Sequence, residues 1–129
     1  MFDAEVLMEQ LAQLGRDLDK EVGRLGLLEH SCVNAESTYR HTQNNYQKAL
    51  DEAFLSVKGT VEDRKAQSRL KAEVPQLDME DAWREWQITK ADVRIQQASI
   101  QALHRRIEIG RSMLSREKAL MSLAGMGEA

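Results

Sequence analysis

The chain has one cysteine, one proline and few aromatic residues: two tryptophans, two tyrosines and two phenylalanines among 129 positions. A lone Cys32 excludes an internal disulfide and fits a reducing compartment. Long apolar runs are missing, and none approaches the ~20 residues that a membrane span needs. The opening stretch from Met1 to Leu11 is interrupted by Asp3, Glu5 and Glu9, so no signal peptide is expected. These absences lead to the expectation of a soluble, cytoplasmic protein. Strand-like alternation, low-complexity tracts and phosphate-cradling glycine motifs of the GxxxxGK[ST] or GxGxxG kind are also missing, as is a GxSxG elbow.

What is present is charge and small apolar residues. About 30% of the chain is charged, and the apolar share leans on Ala, Leu, Val and Met. That is the composition of helices packing stripe against stripe. From Leu7, steps of four and three residues reach Leu11, Leu14, Leu18, Glu21, Leu25, Leu28, Cys32, Ala35, Tyr39, Thr42, Tyr46, Ala49 and Ala53. A strict 3.5-residue period over that length predicts one long coiled-coil helix over 1–56, roughly 80 Å long, with a single polar violation at Glu21. A second seven-residue repeat runs Met79, Trp86, Val93, Ile100, Ile107, Leu114 and Met121. Its partner positions are mixed: Ala82, Thr89, Gln96, Leu103, Gly110 and Glu117. This predicts a second long helix over 79–123, with Asp78 as its N-cap and a loose tail at 124–129.

The last helix carries another apolar stripe well away from the first: Ala91, Ile95, Ala98, Ala102, Ile109, Met113 and Leu120. A helix apolar on two faces must be covered on two sides, which a hairpin alone cannot do. The expectation is therefore an all-α single domain: an elongated helical hairpin or coiled coil assembling into an oligomeric bundle. Trp86, Val93, Ile100, Ile107 and Leu114 are expected to form the oligomer seam.

Between the long helices lies an elbow. Gly59 can end a helix by adopting positive φ, Thr60 with Asp63 has the form of a capping box, and Pro75 reads as a stop. The expectation is a short helix over 60–74. The chain's net charge is −3, yet residues 58–74 hold five bases, Lys58, Arg64, Lys65, Arg69 and Lys71, against three acids. On a helical wheel Arg64, Lys65, Arg69 and Lys71 share one arc, with Ala66, Leu70 and Val74 opposite. The pattern predicts a buried stripe and an outward basic face able to neutralise phosphates without reading sequence. A solvated surface softened by Glu62, Asp63 and Glu73 fits the same residues. Arg105, Arg106, Arg111 and Arg116 could form a second such strip, although in bundles such side chains more often bridge helices or cover seams.

Catalytic signals are poor. His30, His41 and His104 are far apart, and His30 and Cys32 diverge on a helix, so they cannot face one metal. Glu80, Asp81 and Glu85 cluster where a helix start would use negative charge. No enzyme, cofactor, metal or small-molecule substrate is expected. Tyr39, Tyr46 and Trp86 sit at seam spacing and read as packing residues, with Trp83 at a rim.

The run Ala35-Glu36-x-x-Tyr39, then Tyr46-x-x-Ala49-x-x-x-Ala53, then Lys58-x-Thr60-x-x-x-Arg64-Lys65-Ala66 resembles the UvsY-type phage recombination mediators. The late Ile107-x-x-x-Arg111-Ser112 stretch is compatible with that pattern. The resemblance covers roughly residues 30–115. It implies a ring-forming protein in the host cytoplasm that binds single-stranded DNA and helps to load a recombinase. The recombinase and the single-strand-binding protein would be its partners, and Lys58, Arg64, Lys65 and Arg69 its DNA contacts. The competing expectation is an oligomeric scaffold or adaptor that binds a protein partner and no nucleic acid.

Overall fold

The computed structural model describes residues 3–127 and is all-helical: α1 (Ala4–Ser56), α2 (Val61–Lys71) and α3 (Glu73–Gly127), with no strand among the described residues. Asp3 caps α1, its carboxylate accepting from the Glu5 and Val6 amides at 3.0 and 3.2 Å. An anionic cap satisfies donors that the first turn leaves orphaned.

The chain divides into two compact units. One joins the start of α1, up to Gly26, with α3 from Arg94 on; the other is Leu27–Val93. In the first unit Leu11 packs on Gly110 and Glu21 meets Gln96, so α3 descends as α1 ascends and the two helices are antiparallel. A β-carbon added at Gly110 would stand 2.5 Å from Leu11 Cδ2, so a larger residue at this seam position would require the Leu11 side chain to shift. The alternating seam of α1 is borne out position by position. Leu7, Leu11, Leu14, Leu18, Leu25 and Leu28 are all half-buried.

The polar interruptions of the two seams find each other. Buried Gln96 donates through Nε2 to the Glu21 carbonyl at 2.9 Å and also to the Glu21 carboxylate. A single polar pair inside an apolar seam costs stability but selects one register, since any slip strands both groups among leucines. Gln96→Leu should lower stability by about 1–2 kcal/mol, because it leaves the carboxylate without its donor. Adding Glu21→Leu should recover that loss, because removing both partners is nearly neutral. Urea denaturation checks this, and equal stability of the single and double variants would show the pair to be idle.

In the second unit Tyr39 and Trp86 stack across the helix pair, ring centroids 5.5 Å apart and planes 25° from parallel. The threonines at seam positions satisfy their hydroxyls on their own helices. Thr42 Oγ1 donates to the Tyr39 carbonyl and Thr89 Oγ1 to the Trp86 carbonyl, each at 2.8 Å. A polar seam residue therefore costs little there.

Three boundaries differ from expectation. The break after α2 falls at Ala72, and α3 begins at Glu73, so neither Pro75 nor Asp78 marks a boundary. Pro75 is the third residue of α3, where an amide would have no partner within the helix in any case, so proline is accommodated. At the other end α3 continues through Gly125 to Gly127, where a loose tail was expected. The remaining part of that tail, residues 128–129, lies outside the described residues.

Candidate nucleic-acid interface

The elbow is built by its caps. Gly59 takes φ 127°, a conformation L side chains rarely adopt, and turns the chain out of α1. Thr60 then caps α2, its hydroxyl accepting from the Asp63 amide at 3.2 Å. Ala53 and Val57, both buried, and the fully buried Ala72 hold the turn together with Ser68. Ser68 donates to the Arg64 carbonyl at 2.6 Å.

Arg64 is positioned by α1. Its Nε and Nη2 donate to the Phe54 carbonyl at 3.2 and 2.8 Å, and its guanidinium lies 4.2 Å from the centre of the Phe54 ring. Phe54 is in the last turn of α1, whose carbonyls lack partners within the helix. A cation forked onto that end satisfies one of them and complements the negative end of the helix dipole. Arg64 is thus committed to closing the elbow.

That commitment inverts α2 relative to the wheel reading. The inward positions are Arg64, Ser68 and Ala72, while Ala66, Leu70 and Val74 face out, Leu70 73% and Val74 68% exposed. Small Ser68 and Ala72 let α2 come close to its neighbours, and the arginine fork sets the rotation. An apolar stripe is left in water as a result.

Lys58, Lys65, Arg69 and Lys71 are all exposed, and among the described residues none makes an ion pair. Lys65 and Arg69 line a shallow groove of about 280 Å³ with Gln47, Leu50, Asp51, Phe54 and Ser68. Asp51 is the groove's one acid, and it already accepts from Gln47 Nε2 at 3.0 Å. The structure therefore gathers two of the five expected contacts in one groove, leaves Lys58 and Lys71 free on the elbow, and withdraws Arg64. The arginine's structural role had no sequence signal beyond its ten-residue distance from Phe54.

The aromatic residues divide in the same way. Tyr39 and Trp86 stack on each other, and Lys90 Nζ stands 3.7 Å from the Trp86 ring centre, so the stacked faces are occupied within the chain. Trp83 is exposed, beside a groove formed with Tyr39, Met79, Glu80 and Arg84. The expected oligomer seam also lies within the chain. Trp86, Val93 and Leu114 are half-buried and Ile100 and Ile107 buried, all on the face of α3 that carries the stack and the Gln96 pair. The uncovered face of α3 is the second stripe, with Ile95 68% and Ile109 60% exposed. Asp81, once α3 starts at Glu73, lies past its first turn and pairs with Arg84 at 3.0 Å.

No group of three or more His, Cys, Asp or Glu side chains that could hold a metal ion occurs among the described residues. Among them no helix is long and apolar enough to cross a membrane. Comparison with protein-family models, with curated proteins and with solved structures returns no match.

Proposed function

We propose that this chain is a non-enzymatic, oligomeric helical protein that binds single-stranded DNA along its elbow and acts as a recombination mediator. The observation that carries the reading is the set of exposed, ion-pair-free cations Lys58, Lys65, Arg69 and Lys71 in a chain of net charge −3. Cations so placed can release counterions from a phosphate backbone while leaving bases unread. Repetition of the patch across an oligomer would raise a weak single-copy affinity through effective concentration. The resemblance to UvsY-type mediators supports extending the role to loading a recombinase on strands held by a single-strand-binding protein, in the host cytoplasm.

A second reading is an oligomeric scaffold or adaptor for a protein partner. It draws on the exposed apolar side chains Ala66 and Leu70 of α2 and Val74 and Leu77 at the start of α3. Clustered exposed apolar side chains are what a partner-binding surface would use.

A labelled single-stranded oligonucleotide titrated from ~50 mM salt upward separates the two. With three or four phosphate contacts per copy, log K should fall with log salt at a slope of about −2 to −3. Lys65→Glu with Arg69→Glu should weaken binding at least about tenfold, since both side chains are free to meet phosphate. Absence of binding at the lowest salt, or indifference to the double reversal, would leave the adaptor reading standing.

A further inference from the structure

We propose that a second copy of this chain docks antiparallel on the outer face of α3, across a two-fold axis near Ala102. The proposal deepens the oligomeric part of the function above and does not depend on the nucleic-acid part.

The face is defined by Ile95, Ala98, Ala102, Ile109, Met113 and Leu120, all exposed, with Ile109 and Met113 also bordering a groove against Leu7, Leu11 and Leu14 of α1. Its pattern is nearly self-complementary. Ile95 and Ile109 stand seven residues to either side of Ala102. A two-fold interface requires the same patch on both copies, with residue i meeting j and j meeting i. Small Ala98 and Ala102 at the centre would let the two helix axes come near the short end of the 8–10 Å range typical of packed helices.

Charge fits the antiparallel direction. Arg94 and Glu108 are exposed, make no ion pair among the described residues, and stand seven residues to either side of Gln101. Antiparallel docking sets Arg94 of each copy beside Glu108 of the other. In-register parallel docking sets that flank of one helix against the opposite flank of the other, which takes Arg94 away from Glu108. Arg105 and Arg106 fall opposite Ser99 and Ala98 of the second copy, where their stems can lie over small residues.

The exposed area leaves room for such an interface. The chain exposes 9839 Å², against about 6,900 Å² expected of a 14.7 kDa folded monomer. The excess exceeds the roughly 800 Å² per partner that a standard interface buries.

The test uses the full chain in a Cys32→Ser background. Sedimentation equilibrium should give a dimer or a multiple of it. Under mild oxidation Ala102→Cys should cross-link to itself, because a residue near the axis meets its own copy within disulfide reach. Ile109→Cys alone should not, since its counterpart lies about 20 Å away along the helix. Mixed with Ile95→Cys it should form the heterodisulfide. Ile95→Asp with Ile109→Asp should yield monomers with unchanged helical circular dichroism, since both side chains are exposed within one chain. A monomeric parent would overturn the proposal together with the oligomeric part of the proposed function. An oligomer lacking the Ala102→Cys disulfide, one in which Ile109→Cys self-links as readily, or one that survives the double aspartate would overturn this interface alone.

Discussion

Replacing Trp86 by alanine should lower the unfolding free energy by about 2–3 kcal/mol, a large share of the 5–15 kcal/mol that holds a typical domain folded. The indole is half-buried at the seam, so the loss falls below that of a fully buried tryptophan. Two contacts add to the lost burial: the Tyr39 stack at 5.5 Å and the Lys90 ammonium 3.7 Å from the ring centre. Aromatic pairs contribute about 0.5–1.5 kcal/mol beyond their area, and a cation over an exposed ring about 0.5–1 kcal/mol. Urea denaturation of Trp86→Ala, Tyr39→Ala and the double variant isolates the stack, with an expected coupling of about 1 kcal/mol. Additive effects would mean the rings merely lie near one another. The same stack bears on nucleic-acid binding, because it closes one face of each ring to a base. Trp83→Ala, by contrast, removes an exposed ring whose absence the seam should not register.

The long helices were readable because burial there follows the residue's own character. Every seven-residue step in α1 from Leu11 through Leu18, Leu25, Cys32, Tyr39 and Tyr46 to Ala53 turns inward, and one-dimensional spacing is enough to find it. The Glu21 and Gln96 interruptions were equally visible, each in its own seam. Their meeting was not, since spacing along one helix carries nothing about its register with another. The first and last helices were placed by period, while α3's start was misplaced by punctuation. Proline can stop a helix or sit in its first turn, and Pro75 does the second. The short helix failed for a different reason. Wheel arguments assume that Leu70 and Val74 go inside and cations outside. Over eleven residues the apolar gain is small enough for one arginine fork, one serine and one alanine to decide the rotation.

Arg64→Ala should therefore act on the fold, costing about 2–3 kcal/mol. The charge-assisted bonds to the Phe54 carbonyl account for about 1.5–3 kcal/mol, and the ring contact for up to about 1 kcal/mol more. Water can partly replace the donor on a half-buried carbonyl, which keeps the total below the sum of the upper limits. Arg64→Lys should recover only part of the loss, because an ammonium keeps the charge at the helix end but not the planar fork or the stacking. Hydrogen exchange should report the damage locally, as faster exchange in the last turn of α1 and the first turns of α2, with exchange around the Glu21–Gln96 pair unchanged. Lys65→Glu with Arg69→Glu should leave that exchange pattern in place while weakening oligonucleotide binding. Loss of binding in Arg64→Ala should instead track loss of elbow protection and return with Arg64→Lys to the extent that protection returns. If Arg64→Ala weakens binding while the elbow exchanges as in the parent, the guanidinium meets phosphate directly and its hold on Phe54 is secondary.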